Sequence, residues 1–134
     1  MPYAIVNAID QYTTAGNVSL ENDNPCVILT KDCLVQFMDN WVVSGYTRGN
    51  VLATLPENYK PASSITFLVP VAYEGDRTYE HCILTPEGTI TIPHTYAGEF
   101  TLYLDGVNLN VCGTYYTNEI GNNANVGTSP IDEE

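Results

Sequence analysis

The sequence predicts an all-β protein, an antiparallel β-sandwich with jelly-roll-like connections. Three observations predict it. Turn signals built from Gly, Pro, Asn and Asp recur about every 8–12 residues. No apolar pattern with a period near 3.6 persists for about three helical turns. Short runs such as Thr89–Ile92 and Val107–Val111 alternate apolar or β-branched residues with polar ones, as a half-buried strand requires.

Taken in order, Tyr3 to Ile9 reads as a strand and as a natural arm for pairing with a partner chain. Gln11–Asn17 reads as a polar loop, Val18–Leu20 as a brief strand and Glu21–Pro25 (ENDNP) as a turn cluster. Cys26–Leu29, Cys33–Met38 and Trp41–Val43 are short apolar runs separated by turns, the second at Asp39-Asn40. They read as three strands of a meander.

The stretch Val51–Pro70 follows. Val51–Leu55 is an apolar strand, and Pro56 and Pro61 bracket Glu57, Asn58, Tyr59 and Lys60. Each proline fixes φ and lacks an N–H, and the residue before it is pushed toward extended geometry. The bracketed link is therefore expected to be stiff and open; as an ordered crossing between the sheets or at their edge, close to a subunit boundary, it should hold Tyr59 packed. Ser64–Val69 resumes the extended run. Val71–Tyr73 prolongs it past Pro70 at a bulge or an edge.

Glu74-Gly75-Asp76 turns the chain into Arg77–Leu84. There Tyr79, His81 and Ile83 share one face and Glu80, Cys82 and Leu84 the other. Pro86-Glu87-Gly88 is a turn, because proline presets φ and glycine admits positive φ. Thr89–Ile92 is a strand and Pro93–Gly98 a loop. Glu99–Leu104 and Val107–Val111 are strands joined by Asp105-Gly106, a hairpin signal. The domain reading is an arm or anchoring segment over residues 1–24, a sandwich over 25–116 and a polar acidic tail over 117–134.

Composition bounds the function. The net charge is −12, and charged residues make up only 15% of the 134. The surface must therefore be mostly neutral Thr, Asn, Ser and Tyr. A chain this acidic repels phosphate backbones and anionic bilayers, so neither nucleic acid nor a membrane is an expected partner. The start, MPYAIVNAID, lacks the basic and apolar regions of a signal peptide. Reduced thiols are accordingly expected at Cys26, Cys33, Cys82 and Cys112, although four cysteines allow three pairings. No zinc-ligand spacing occurs among them, and no metal or cofactor is expected.

Candidate chemistry is sparse. His81 and His94 could join Asp76, Glu80 or Ser63, but no nucleophile motif supports a hydrolytic site, and no catalytic residue is assigned. Glu74/Asp76 and Glu87/Glu99 read as solvated loop acids, and the ENDN turn lacks the EF-hand pattern. The tyrosines carry more information, because an aromatic face with a polar tip suits sugars and protein interfaces. Tyr73 and Tyr79 flank the Glu74–Asp76 turn, and Tyr115-Tyr116 opens the C-terminal segment. These four are the candidate ligand-binding residues.

The string VLATLPENYKPASSITFLVP, then HCILTPEGTITI and EFTLYLDGVNLNV, resembles the head region of tailed-bacteriophage fibre and receptor-binding proteins. The residues that carry the resemblance are Thr54-Leu55-Pro56, Tyr59, Pro61, Glu87-Gly88 and Leu104-Asp105-Gly106, within roughly Trp41–Val111. It implies a β-sandwich fibre head, non-enzymatic and homotrimeric, displayed on a virion assembled in the host cytoplasm. Some members bind cell-surface glycan. The segment before Trp41 is short, which fits a short head or tail fibre, a capsid-surface subunit or a stand-alone tip. Residues 1–24 or 117–134 would then contact other capsid or tail proteins. The second reading is a carbohydrate-binding module of a secreted or surface protein.

Overall fold

The computed structural model describes residues 8–29 and 33–111, and its regular elements are β-strands apart from one 3₁₀ turn. In chain order the strands are β1 (Ala8–Gln11), β2 (Thr13–Thr14), β3 (Val18–Leu20), β4 (Cys26–Leu29), β5 (Leu34–Phe37) and β6 (Trp41–Val43). Then come β7 (Ala53–Thr54), β8 (Ile65–Tyr73), β9 (Asp76–Leu84), β10 (Thr89–Thr91), β11 (Phe100–Leu102) and β12 (Asn108–Asn110). They form a four-stranded sheet, β1-β4-β5-β12, and an eight-stranded sheet, β2-β7-β10-β9-β8-β11-β6-β3. Every strand pairing within the sheets is antiparallel. The all-β antiparallel sandwich is the observed class.

The larger sheet is nearly closed, and the reason lies in the chain. Its two edge strands, β2 and β3, are separated by Ala15–Asn17 alone. Three residues reach roughly 10 Å, so opposite ends of an eight-stranded sheet are forced together. The turn is closed by Val18 N–H donating to the Ala15 carbonyl at 3.0 Å. The segment Gln11–Asn17, expected as a loop, thus holds β2 and the buried Tyr12. The two-residue length of β2, beside the Ala15-Gly16-Asn17 turn, hides strand structure that tertiary pairing with β7 supplies.

Alternation sets the core. Val27, Val35 and Phe37 face inward from the small sheet. Val69, Val71, Cys82, Leu84, Phe100 and Leu102 face inward from the large one. Tyr12, Phe37 and Trp41 meet edge-on or tilted with centroids 5.8–5.9 Å apart, and Phe67 stacks on Phe37 at 6.3 Å. Such aromatic pairs add to their burial energy. Trp41 Nε1–H donates to the Tyr12 hydroxyl at 2.7 Å, so the indole is not left unpaired inside. Burial pushes the Tyr12 phenol up to about 12.

Two of the expected hairpins are crossings between the sheets. β4 and β5 do pair, but β6 joins the large sheet between β11 and β3. Likewise β11 lies in the large sheet and β12 pairs with β5. The turn at Asp105-Gly106 still forms, with Val107 N–H on the Leu104 carbonyl at 2.8 Å, but Gly106 N–H reaches the Phe37 carbonyl at 3.2 Å. Turn residues fix a chain reversal, not the strand that receives it.

Asp39 makes the crossings possible. It is wholly buried. Its carboxylate accepts the N–H groups of Asn22 (2.8 Å), Asn24 (3.0 Å) and Asn40 (2.8 Å) and the Asn22 side-chain amide (3.0 Å). Asn40 extends the knot, donating its side-chain amide to Glu21 at 2.7 Å and accepting Asp105 N–H at 3.0 Å. Burial by itself raises the Asp39 pKa. The hydrogen bonds from Asn24, Asn22 and Asn40 together outweigh it and hold the carboxyl below its ordinary range.

The Pro-bracketed link is closed rather than open. Glu57–Tyr59 is a 3₁₀ turn, with Tyr59 N–H on the Pro56 carbonyl at 3.0 Å. Tyr59 is fully buried and its hydroxyl donates to Asp10 at 2.7 Å. Burial first, then the bond and charge of Asp10, push its pKa up. The link locks onto the Pro86–Gly88 turn, where Leu55 N–H meets the Gly88 carbonyl at 2.8 Å. A Cβ on Gly88, at φ +87°, would lie 3.2 Å from both the Leu55 carbonyl and the Lys60 side chain.

Two stability outcomes follow. Asp39→Asn should lose about 2 kcal/mol near neutral pH, since a neutral amide is a weaker acceptor for the same donors. Because the folded pKa is depressed, the stabilisation is present above the ordinary carboxyl value of about 3.9 and fades as pH falls through the folded value. Urea midpoints against pH should therefore converge for the two proteins in acid. Gly88→Ala should cost about 2–3 kcal/mol, from the left-handed backbone and the tight contact. Gly75→Ala, at φ +84° with nothing within 4 Å of the added carbon, should cost about 1 kcal/mol. Equal melting temperatures for the two glycine variants would contradict the contact argument.

Candidate recognition surface

The β8–β9 hairpin presents the aromatic residues that sequence reasoning singled out, and it divides them. Glu74 and Gly75, at φ 52° and 84°, form the tight turn that closes it on the Tyr73–Asp76 pair. Parity then assigns the faces. Tyr73 shares the side of Val69 and Val71 and is half-buried, its ring edge-on to Tyr96 at 5.0 Å. Tyr79 points outward and is 64% exposed. The two residues expected to act together thus lie on opposite faces. Tyr115 and Tyr116, with the acidic tail and residues 1–7, lie outside the described residues.

Tyr79 has company that the sequence reading missed. It pairs with Pro70 on β8, and Tyr103 N–H donates to the Pro70 carbonyl at 2.9 Å on the far side. Tyr103, just past the end of β11, therefore forms a row with Pro70 on β8 and Tyr79 on β9. At a strand spacing of roughly 4.8 Å, the two tyrosines stand roughly 10 Å apart. Arg77 lies over the Tyr103 ring, 5.0 Å from its centroid. Leu68, half exposed, pairs with the exposed His81 beside the row. The platform is apolar and aromatic with polar tips, and its nearest charge is a cation. The phenol of Tyr103 could have been counted into this face from the pattern Phe100, Leu102, Leu104 inward.

Behind the platform is the second buried acid. Glu80 is 2% exposed, on the face of Cys82 and Leu84 that its parity indicates. Its carboxyl accepts the Tyr96 hydroxyl and, at 3.0 Å, the His81 N–H, and lies 2.8 Å from Nδ1 of His94. Of the two histidines, His94 and not His81 reaches an acid. His81 projects from the opposite face of its strand. Tyr96 stacks on Phe100 at 4.0 Å. Burial first, then the hydrogen bond and charge of Glu80, raise the Tyr96 pKa. Burial, with the Glu80 charge adding, raises that of Cys82. A thiol held protonated is a packing group rather than a nucleophile. The cluster anchors the Pro93–Gly98 loop, which also bridges to Tyr46.

The remaining candidates are dispersed. Glu74, Asp76, Glu87 and Glu99 are exposed in turns or at strand ends. In the ENDN loop it is N–H donors that converge, on the Asp39 carboxylate, so the loop is folded around an anion rather than arranged for a cation. No group of His, Cys, Asp and Glu fit to hold a metal occurs among the described residues, and no helix among them is long and apolar enough to cross a membrane. Cys33 is disulfide-bonded, whereas Cys26 and Cys82 are free. This corrects the expectation of reduced thiols throughout: proximity in the fold, invisible in the spacing, pairs Cys33.

No protein-family model matches the chain, and no curated protein matches it at a significant level.

Alkylation under denaturing conditions reads out the thiols. Without reductant, Cys26 and Cys82 should be modified and Cys33 spared. Cys33 should take label after reduction. Labelling of Cys33 without reductant would show that its bridge does not form.

Proposed function

We propose that the chain is a non-enzymatic virion surface protein, a homotrimeric fibre or fibre-head subunit on a capsid or tail, whose β8–β9 face adheres to host or mucosal glycan. The observation that carries it is the Tyr103–Pro70–Tyr79 row, an aromatic platform on the flank of a β-sandwich. Sugar rings present C–H faces that stack on tyrosine, while their hydroxyls meet polar tips such as those of Arg77 and His81. The distribution of charge supports the assembly. The exposed acids Glu21, Asp23, Glu57, Glu74, Asp76, Glu87, Glu99 and Asp105 sit in turns or at strand ends, whereas the outward residues of β2, β7 and β10 are threonines. Neutral flanks let acidic copies stand side by side, with their charge at the ends.

The resemblance to fibre heads rests on residues that interlock in this chain. The Leu55-Pro56 link and the Glu87-Gly88 turn are joined by backbone hydrogen bonding, and Tyr59 is packed beneath. The terminal segments would dock the subunit on the particle. The same platform also favours a second reading, the carbohydrate-binding module of a secreted or surface protein. It differs in requiring no trimer.

Light scattering of the purified chain should give the mass of a trimer. Glycan-array binding should fall at least about tenfold in Tyr79→Ala, the loss expected when one stacking contact is removed. A monomer that still binds glycan through Tyr79 would favour the module. A trimer with no glycan binding would remove adhesion and leave the structural role.

A further inference from the structure

The large sheet has a gap in its pairing that chain connectivity leaves open. β11 covers β8 only at Val71–Tyr73. It departs at Pro70, which accepts a bond from Tyr103 but has no N–H to return. From Ile65 to Val69, β8 has β9 as its one strand partner among the described residues. Bonding alternates along an antiparallel strand. Since the Pro70 carbonyl faces away from β9, so do the N–H and C=O groups of Leu68 and Thr66. Both residues are exposed. The edge reads Ile-Thr-Phe-Leu-Val, with no charge, no proline and no bulge among the devices that usually protect such edges.

The small sheet offers a second open edge. Among the described residues β1 pairs with β4 alone. Tyr12 N–H donates to the Pro25 carbonyl on that side, so by the same alternation Ile9 and Gln11 direct their backbone groups outward. Two of the most exposed large hydrophobic residues stand at these outward positions, Ile9 on one edge and Leu68 on the other, 62% and 50% exposed. The acid of β1, Asp10, is turned inward to Tyr59. Among the described residues, two edges whose outward positions carry no acid thus keep N–H and C=O groups that no strand meets, in a chain of net charge −12.

We infer that the β1 edge of one copy adds to the open β8 edge of the next, through Ile9 and Gln11 against Thr66 and Leu68. The occupant is a second copy because acidic copies repel one another except where no acid faces the partner, and the outward positions Ile9, Gln11, Thr66 and Leu68 carry none while Asp10 is taken up by Tyr59. The two edges differ, so the contact is heterologous, and the trimeric reading requires a rotation of one third of a turn per copy, which closes the ring. The inference rests on the trimeric reading above and names its interface. It places Ile9 and Leu68 in apolar contact across the seam and continues the larger sheet from copy to copy.

Amide hydrogen exchange on the unmodified chain tests it, run at concentrations above and below the dissociation of the trimer. The amides of Ile9, Gln11, Thr66 and Leu68 should exchange roughly 100-fold more slowly in the trimer than in the monomer. Thr66→Pro deletes an outward N–H at the parity where Pro70 is already accommodated, so the monomer should keep its fold and lose the trimer. Leu68→Lys should do the same through charge and provides a check if the proline variant does not fold. Trimers with fast exchange at all four amides would overturn the interface and leave the trimeric reading intact. Protection of the β8 edge alone would replace it with a symmetric β8–β8 contact. A chain that stays monomeric at every concentration would remove the trimeric reading and this interface together.

Discussion

The sandwich depends on a carboxylate that never reaches solvent. The turns at Glu21–Pro25 and Leu104–Gly106 carry the chain from the large sheet to the small one, and the Asp39-Asn40 turn carries it back. A chain crossing between layers leaves backbone N–H groups with no ladder to join, and buried donors without partners are costly. Asp39 takes those of Asn22, Asn24 and Asn40 on one group, and Asn40 ties in Glu21 and Asp105. The knot lets β5 and β12 pair in one layer while β6 and β11, their neighbours in sequence, pair in the other.

Glu80 plays a related part on the other side of the molecule. Both buried acids satisfy donors that no strand reaches: Asp39 those of three turn residues, Glu80 the His81 N–H where β10 no longer covers β9. Their burial also clarifies the charge. Once they and Asp10 are turned inward, the remaining described acids crowd the turns and strand ends, and the strand flanks are left neutral. That separation follows from β geometry, since turns tolerate acids while paired strands favour β-branched and aromatic residues. It leaves the flanks, with the tyrosine row and the open β8 edge, as the surfaces suited to close contact.

Pro70 links the two features on that flank. At an outward-bonding position of β8, it pairs laterally with Tyr79 and ends the run of β11 because it lacks a donor. Its ring fills the middle of the aromatic row, and its missing N–H opens the edge beside it. In sequence it reads as a break in a strand. In the fold it is a boundary between two partners of one continuous strand.

Local order was determined by the sequence alone. The strands at Cys26–Leu29, Trp41–Val43, Arg77–Leu84 and Thr89–Ile92, the turn at Gly88 and the shared face of Glu80, Cys82 and Leu84 all follow from alternation and turn chemistry, which act between residues close in the chain. Only the tertiary structure decided which sheet receives a strand after its turn. The Asp39-Asn40 and Asp105-Gly106 turns resemble hairpin turns because a reversal has the same local requirements whichever neighbour follows. The same holds for the pairing of Cys33, the strand character of Thr13–Thr14, the reach of His94 to Glu80 and the separation of Tyr73 from Tyr79. Each depends on residues brought together from distant parts of the chain, and the period-two pattern that marks a strand carries no label for its partner.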